Sequence, residues 1–359
     1  MTSGNEIVYY DFNELNYSSF FLTGFLHNTK RFDYRFTVSK DVPSLLEDPA
    51  TDGRWRALLF SICLFKARLG GREFHFCIDA RDSCESARDR GGGYHLPLLE
   101  RVAYYFKVNY NADAIERDPN LRPFIDRILP ARPFFPVAPP GRGAFLPRFL
   151  PCRTTGWGRR QTARRFKDLL RAPRLEDVVR LRGGSKDLDL FFVMMYYPEP
   201  VHAPHNEIRY RVMREIRKVP DIASIAGFAA RDPLPQPYEE FRIPPFRLKA
   251  YLSRMAGARI GIYVRGLYDC ISFKLPQFLA LGLPIVGQPI PNNRRVLYDN
   301  EFFDEQFAFD DPVDIVREAV RRLREPERLA RLGESNARAF DRKFTPEAAV
   351  SEILTRLTE

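Results

Sequence analysis

Cysteine is scarce in this sequence of 359 residues, and its five cysteines include no C-x-x-C pair. We therefore expect neither a disulfide framework nor a zinc ribbon, and this usage is typical of a reducing compartment such as the cytosol. No apolar run approaches the roughly 18–20 residues that a membrane-spanning helix needs. The first residues, MTSGNEIVYYDF, lack a basic stretch followed by an apolar core, so no secretory signal is expected.

Two glycine-rich nucleotide-binding motifs are also missing. No G-x-G-x-x-G follows the first strand expected in either half, and no G-x-x-x-x-G-K-[ST] occurs anywhere. These absences argue against a dinucleotide-dependent oxidoreductase and against a P-loop phosphotransferase. A hydrophobic fraction of 45% and a charged fraction of 28% are ordinary for a globular protein and argue against a mainly disordered chain.

The positive charge is concentrated in one segment. Residues 131–182 contain thirteen basic and three acidic residues, which accounts for the whole net charge of +10. Such a block attracts phosphate groups of a nucleotide, a nucleic acid or an anionic membrane, although an arginine-rich solvated connection is the plainer alternative. Seven prolines in residues 130–151 indicate a loop or linker, because proline lacks the donor that helices and inner strands require.

Short apolar strands alternate with helical segments on both sides of this linker. Strands separated by crossover segments predict mostly parallel sheets covered by helices. The expected strands of the N-terminal half are residues 6–12, 34–39, 57–65, 74–79 and 102–108. The second half repeats the pattern more clearly from the apolar run LDLFFVMMY onward, as a Rossmann-like domain does.

The chain is therefore expected to have the α/β class with two Rossmann-like domains. The first spans residues 1–185 and includes the Pro/Arg-rich linker at 130–185, the second spans 186–342, and residues 343–359 form a final helix. A cleft between the carboxyl ends of two parallel sheets would bind a ligand, because helix N-termini direct unpaired N–H groups toward it. This organisation favours an enzyme over a scaffold.

The most informative stretch is GIYVRGLYDCISFKLPQFLALGLPIVG, residues 261–287. A strand is followed by a loop with Gly266 and Asp269, and Ser272 is placed to cap the next helix. Lys274 then adds a positive charge at a helix start that already favours anions, and Gln277 follows at i+3 on the same face. The set suits a nucleotide diphosphate, although a buried helix with a serine cap and a snorkelling lysine is an equal alternative.

This stretch resembles the donor-binding segment of GT-B glycosyltransferases, including the retaining enzymes that carry two glutamates in an E-x7-E motif. The corresponding positions here are Asp269 and Gln277, which gives D-x7-Q. Lys274 matches the lysine of the family. Gly282, Pro284 and Val286 match the G-x-P-x-V motif of the family. Glutamine lacks the carboxylate charge and Asp is shorter than Glu, so the resemblance supports a nucleotide-sugar site better than the retaining mechanism.

The resemblance implies a GT-B fold and assigns roles to individual residues. Gln277 would bond the donor ribose, Lys274 and the Ser272 backbone the diphosphate, and Asp269 the transferred sugar, with Gly266 in the same donor loop. It covers residues 187–359, since segments within 309–350 resemble the end of these enzymes, where the last helix packs on the N-terminal domain. Such enzymes generally need no bound metal, so no metal or other cofactor is expected.

The acceptor side should lie in the N-terminal half, where an inverting enzyme would need a general base. Asp79 ends the predicted strand FHFCID, Asp82 follows it in the next loop, and His95 follows a glycine run, so these three residues are the candidates. Asp79 alternatively caps a helix or pairs with Arg81. Asp11 and Glu14 are weaker candidates, and Lys107 is either a residue that helps to hold phosphate or acceptor or an exposed lysine at a strand end. No carboxylate or cysteine completes a metal site around His202 and His205.

The sequence thus predicts a metal-independent glycosyltransferase that moves a sugar from a nucleotide-sugar donor to a glycan or lipid-linked acceptor. The alternatives are a GT-B sugar-nucleotide epimerase or a basic protein that binds nucleic acid or a membrane. A nucleic-acid partner is not expected, because Trp157 and Phe166 are the only aromatics interleaved with the clustered basic residues at 153–182. We expect a cytoplasmic protein, with residues 131–182 able to contact an anionic inner membrane surface.

Overall fold

The chain forms two compact units in a computed structural model. Unit 1 comprises residues 1–174 and 343–359, and unit 2 comprises residues 175–342. Each unit has its own α/β sheet, which confirms the predicted class. The chain passes between units at 174/175, earlier than the predicted boundary at 185. The structure describes residues 4–11, 14–39, 41, 45, 58–86, 93–140, 167–168, 170–298 and 303–359.

Unit 1 contains a sheet in the order β2-β1-β3-β4-β5-β6, as far as the described residues show. The pairs β1–β2, β4–β5 and β5–β6 are parallel, whereas β3 is antiparallel to both of its neighbours. The strands are β1 Glu6–Tyr10, β2 Arg35–Ser39, β3 Ile62–Leu69, β4 Arg72–Asp79, β5 Tyr104–Lys107 and β6 Ile128–Pro130. The helices are α1 Leu15–Asn28, α2 Leu96–Leu99 and α3 Ala112–Arg117, with the last helix of the chain, α12 Pro346–Thr358.

A hairpin replaces one of the crossovers that the sequence analysis expected. Strands β3 and β4 pair in antiparallel register with Leu69 opposite Arg72. The turn between them consists of Gly70 and Gly71, with φ of 57° and 78°, which is the left-handed conformation that two-residue hairpin turns require. Strand β3 begins at Ile62, after a 3-10 turn over Leu58–Ser61, and not at the predicted residue 57. It ends at Leu69, beyond the predicted end at residue 65.

Helix α1 is buried on most of its surface because it lies between the sheet and the last helix. Phe25 packs against Phe65 of β3 with 4.7 Å between ring centroids. On the other side, the side-chain amide of Asn28 donates a 2.9 Å hydrogen bond to the carbonyl oxygen of Glu347. A helix that is apolar all round is expected in such a position. These contacts hold α12 in unit 1, far in sequence from the rest of that unit.

Unit 2 contains a fully parallel sheet in the order β11-β10-β7-β8-β9 within its described part. Strand β7 buries both faces, with Phe192 toward the main core and Phe191 against Tyr251, which explains its continuous apolar sequence. The strands are β7 Leu188–Met194, β8 Ser224–Ala229, β9 Arg242–Ile243, β10 Ala258–Tyr263 and β11 Ile285–Gly287. The helices are α4 Leu175–Arg180, α5 Ala203–Arg217, α6 Leu248–Ala256, α7 Lys274–Ala280, α8 Arg294–Leu297, α9 Phe303–Gln306, α10 Pro312–Leu323 and α11 Pro326–Ala339.

The strand order of unit 2 reverses direction between β7 and β10. After β7 the chain builds outward through β8 and β9, and it then returns to place β10 on the opposite side of β7. In open parallel sheets the loops at such a switch point diverge and leave a crevice at the carboxyl ends of the strands, where ligands bind. The topology therefore directs attention to the loops that follow β7 and β10.

The contact between α1 and α12 yields a first prediction. A β-carbon at Gly24 would lie 2.1 Å from the carbonyl oxygen of Pro346, so Gly24→Ala must separate the two helices. We expect a loss of about 1–3 kcal/mol in the free energy of unfolding, measured by urea denaturation. Gly4→Ala is the matched control in the same unit, because nothing lies within 4 Å of its β-carbon position. Equal stability of the two variants would contradict the packing described.

Candidate functional site

Two loops of unit 2 bring basic side chains to the carboxyl edge of its sheet. One loop leads from β7 into α5, which carries His205 and Arg209, and the other leads from β10 into α7, which carries Lys274. Because β7 and β10 are adjacent and parallel, the two loops leave the same edge of the sheet at its switch point. We call Arg209 and Lys274 the cationic pair.

Arg209 is only 2% exposed, and residues of the loop after β7 hold its guanidinium in place. Its Nη1 donates a 2.9 Å hydrogen bond to the carbonyl oxygen of Met195, and its guanidinium lies 4.9 Å from the centre of the Tyr197 ring. Asn206 fixes Tyr197 in turn through hydrogen bonds to its N–H and carbonyl group. The Nε atom of Arg209 is buried without a partner. Burial lowers the pKa of the Arg209 guanidinium, and no carboxylate within the described part of the chain contributes to this shift.

Lys274 is half-buried beside Arg209. Loss of solvent, together with the positive charge of Arg209, lowers the pKa of Lys274 to about 7. No carboxylate among the described residues contributes to this balance, and the Cys270 thiol is the one group that opposes it. A desolvated lysine that lacks a carboxylate beside a desolvated arginine is an unfavourable arrangement, which a bound anion would stabilise.

The predicted cap of helix α7 is wrong. Phe273 occupies the N-cap position, and no side chain caps the helix. Ser272 contributes its carbonyl oxygen instead, which accepts a 3.1 Å hydrogen bond from the N–H of Leu275. Its hydroxyl oxygen is buried without a partner, and its N–H donates a long 3.4 Å bond to the Tyr263 hydroxyl. The Ser272 hydroxyl therefore takes no part in capping α7.

The other donor-site candidates lie on the same two elements. Gln277 is 5% exposed on α7, and Gly266 uses its N–H within the loop, in a 2.9 Å bond to the carbonyl oxygen of Cys270. Asp269 is exposed and lies 3.4 Å from Arg265, measured from carboxylate oxygen to Nε. Tyr268 and Asp269 both have left-handed backbones, with φ of 55° and 59°, a strain that often accompanies functional loops.

A pocket of about 640 Å³ borders this loop on one side. Arg265 lines it, and the Arg265 guanidinium also lies 3.2 Å from the Asp310 carboxylate on the pocket wall. The volume falls in the range of small-molecule sites. Neither member of the cationic pair lines the pocket. Its walls are formed by Ile208, Arg211, Arg265, Gln288, Pro289, Ile290, Pro291, Arg294, Tyr298, Asp310, Asp311 and Pro312.

Arg209 and Arg265 are not among the site residues expected from the sequence, where His205 was considered only as a metal ligand. The available signal is the i, i+4 spacing of His205 and Arg209 in the first turns of a helix that follows a buried strand. Burial, and after it the positive charge of Arg209, lower the pKa of His205, whereas the Asp269 carboxylate opposes this shift.

The N-terminal candidates belong to unit 1, where Asp79 is fully buried. Asp79 Oδ2 accepts hydrogen bonds of 2.5 Å from the Tyr105 hydroxyl and 3.0 Å from Lys107 Nζ, and Oδ1 lies 3.5 Å from Arg81 Nε. Although burial opposes ionisation, Lys107 and Arg81 keep the pKa of Asp79 below its usual value. An inaccessible, stably ionised carboxylate is unsuited to act as a general base. The alternative pairing of Asp79 with Arg81 is the one found.

Asp82 and His95 differ in their suitability as bases. Asp82 is half-buried in the loop after β4. His95 is 4% exposed, and its Nδ1 accepts a 3.1 Å hydrogen bond from the N–H of Leu98 at the start of α2. Burial, together with the charge of Arg81, lowers the pKa of His95 to about 4, so its neutral form is a weak base at pH 7. Asp82 is therefore the more suitable of the two.

The remaining weak candidates and the basic block are only partly described. Asp11 is 2% exposed and Glu14 is half-buried, whereas most of residues 131–182, and Gly91 and Gly92, lie outside the described residues. At the described ends of the block, Arg132 pairs with Glu352 at 2.7 Å and Arg182 with Asp341 at 2.8 Å, each inside its own unit. Membrane contact through this block stays a prediction.

The described residues contain no group of three or more His, Cys, Asp or Glu side chains arranged to hold a metal ion. Within the same residues no helix combines the length and apolar character needed to cross a bilayer.

Comparison with known proteins gives a likeness in fold only. No protein-family model and no curated protein sequence matches the chain significantly. Among solved structures, the crystal structure of TarM is similar, with a TM-score of 0.41 and 8% sequence identity. The aligned region covers 78% of this chain and 49% of the TarM chain. The chain thus spans about half the length of that structure.

The lowered pKa of Lys274 leads to a second prediction. Between about pH 7 and the ordinary lysine value of 10.5 the unfolded chain binds a proton at this site that the folded chain does not. The free energy of unfolding should therefore rise with pH across this window, and Lys274→Met should flatten the rise. Urea denaturation at pH 7 and pH 9 measures it. Lys218→Met is the control, because Lys218 lies at the surface in a pair with Glu215, and it should keep the wild-type slope.

Proposed function

We propose that the protein is a glycosyltransferase and that unit 2 binds a nucleoside-diphosphate sugar. The observation that carries the proposal is the cationic pair at the switch point of a parallel sheet, two desolvated positive side chains that no carboxylate of the described residues neutralises. Ligands bind at such switch points, and the diphosphate of a sugar nucleotide would supply negative charge to the cationic pair. Lys274 and Gln277, which resemble the K-x-x-E of a GT-B donor segment, lie on helix α7. The G-x-P-x-V residues follow this helix and lead into strand β11.

The cationic pair would act mainly on the leaving group. When the bond between the anomeric carbon and the diphosphate oxygen breaks, negative charge grows on that oxygen. The Arg209 guanidinium and the Lys274 ammonium would stabilise this charge, and the unpartnered Ser272 hydroxyl would donate a further hydrogen bond. Fixed positive groups in a desolvated site are effective in this role because they need little reorganisation as the charge develops.

The rest of the donor would be held by neutral and acidic groups around the pair. Gln277, one turn along α7 from Lys274, is suited to bond a ribose hydroxyl, and the exposed Asp269 is suited to bond the transferred sugar. The 640 Å³ pocket beside Arg265 offers room for a nucleoside or a sugar. We propose that these side chains, and not a metal ion, neutralise the diphosphate, so transfer should persist in a chelator.

Unit 1 would bind the acceptor, which we propose to be a glycan or a lipid-linked sugar. If the reaction inverts the anomeric carbon, Asp82 is the candidate to accept the proton of the acceptor hydroxyl. Asp79 would serve a positioning role through its contacts with Arg81, Tyr105 and Lys107.

Removing either positive charge of the pair tests the assignment. We expect Lys274→Ala and Arg209→Gln each to lower the rate of sugar transfer by roughly 10²–10³-fold, as removal of a group that stabilises developing charge does. Both variants should also weaken nucleoside-diphosphate binding, measured by calorimetry. Arg217→Ala is the matched control, because Arg217 lies on the same helix but pairs with Glu240 at 2.6 Å. Unchanged turnover in Lys274→Ala would refute the donor site.

A ligand panel tests the substrate class independently of turnover. Nucleoside diphosphates should raise the melting temperature more than the corresponding monophosphates, because the second phosphate adds negative charge at the cationic pair. The difference should disappear in Lys274→Ala. Equal stabilisation by both classes in the wild-type protein would count against a diphosphate site.

A further inference from the structure

A second cavity of unit 2 lies at the edge of the sheet opposite to the cationic pair. Its volume of about 440 Å³ falls in the range of small-molecule sites. Among the residues that line it, Lys186 lies just before β7, Arg259 lies at the start of β10, and Pro284 directly precedes β11. The cavity therefore adjoins the amino ends of these parallel strands. Strand β10 has six residues, so roughly 17 Å separates this edge from the donor site.

Three cations that line this cavity bond the C-terminal ends of helices. Arg182, Arg259 and Lys186 each donate a hydrogen bond of 2.6 or 2.7 Å to the last carbonyl oxygen of a helix, respectively α7, α10 and α6. A cation is favourable there because the C-terminus of a helix carries partial negative charge. These bonds explain why cations occur at this edge, but a partial charge does not balance a full one.

Carboxylates balance the two arginines. Asp341 accepts hydrogen bonds of 2.8 Å from both Nη1 and Nη2 of Arg182. Asp189 accepts a 3.0 Å hydrogen bond from Nη1 of Arg259. Both guanidinium groups are therefore neutralised by the protein itself, and neither requires a ligand.

Lys186 differs from the two arginines because no carboxylate of the described residues pairs with it. Glu334 also lines the cavity, but its carboxylate lies 3.4 Å from the Arg338 guanidinium. Lys186 is an exposed residue, so its side chain is accessible from solvent. Partial burial nevertheless lowers the pKa of its ammonium group, and no negative group opposes this shift. The cavity thus contains one accessible positive charge that the described residues leave unbalanced.

Much of the remaining wall is apolar, because helix α11 and the segment between α7 and β11 present aliphatic side chains to the cavity. A ligand that fills it would therefore need an apolar body beside its charged group. The apolar wall residues include Leu281, Pro284, Pro326, Leu329, Ala330 and Ala337.

We propose that this cavity binds a small amphipathic carboxylate, with the carboxylate group on Lys186 and the apolar body against the aliphatic wall. An ammonium group has three N–H donors, and Lys186 uses one of them on the carbonyl oxygen of Ala256. A carboxylate balances the single surplus charge, whereas a phosphate monoester would bring a second negative charge into apolar surroundings. The site does not rest on the function proposed for the cationic pair, which lies at the other edge of the sheet.

Two probes with the same apolar body but different charge test the site. Naphthoate carries a carboxylate, whereas naphthol is uncharged at pH 7. In calorimetry, the wild-type protein should bind naphthoate roughly 10–100-fold more tightly than naphthol, because a hydrogen bond to a charged group contributes about this much. Equal affinities for the two probes, or no binding of naphthoate, would overturn the proposal.

Charge variants locate the carboxylate. Lys186→Met should weaken naphthoate binding by the same factor and leave naphthol binding unchanged. Lys249→Met is the matched control and should change neither affinity, because Lys249 is an exposed lysine of α6 outside the cavity wall. Lys274→Ala should also keep naphthoate binding. Loss of naphthoate binding in Lys274→Ala would assign the probe to the donor site, and full naphthoate affinity in Lys186→Met would equally refute the cavity.

A variant that fills the cavity keeps the test decisive if Lys186→Met does not fold. Ala330 is exposed on α11 and lines the cavity, so the side chain of Ala330→Trp can occupy the cavity without entering the core. Binding of both probes should disappear, while the melting temperature stays close to that of the wild-type protein. Undiminished probe binding in folded Ala330→Trp would show that the probes bind elsewhere and would rule out this site.

Discussion

Desolvated positive charge at the carboxyl edge of a sheet is the constraint on which the functional interpretation depends. Removing a cation from water is costly unless a carboxylate or several acceptors replace the solvent. At the edge of unit 2, Arg209 receives one carbonyl oxygen and an aromatic face, and the pKa of Lys274 falls to about 7. The fold maintains this arrangement because α5 and α7 are fixed by the parallel sheet from which they start. An anion bound at this edge would therefore meet positive charge that is already in place.

Some of the buried polar atoms without partners lie at the carboxyl edge of the parallel sheet. Away from this edge, Gln306 of α9 and Asn336 of α11 satisfy each other through mutual hydrogen bonds of 2.9 and 2.8 Å. At the carboxyl edges, loops and first helical turns replace strand pairing, and buried atoms such as Ser272 Oγ and Arg209 Nε remain without partners. Such atoms cost stability. Their retention at the edge, where ligands bind in this class of fold, is a physical sign of a binding role.

Local sequence predicted what depends on local chemistry. The spacing of Lys274, Gln277 and Gly282 located helix α7, and alternating apolar runs located most strands. Local sequence could not predict contacts that depend on strand order. The pairing of Asp79 with Lys107, for example, requires β4 and β5 to be neighbours in a given register. Arg209 was missed because a basic residue on an amphipathic helix is usually solvated, and only the tertiary structure buries it. The β3–β4 hairpin, in contrast, had a readable signal in Gly70-Gly71.

Glutamine at position 277 becomes understandable when the charge of its neighbour is considered. Residues 274 and 277 share a face of α7. A glutamate at position 277 would pair with Lys274, raise its pKa and compensate the charge that a diphosphate would otherwise meet. Gln277 is 5% exposed, so a carboxylate there would also be buried at considerable cost. The neutral amide keeps the ability to bond a hydroxyl and leaves the lysine charge for the ligand. The D-x7-Q pattern is thus consistent with a donor site in which the cationic pair, more than a second carboxylate, binds the substrate.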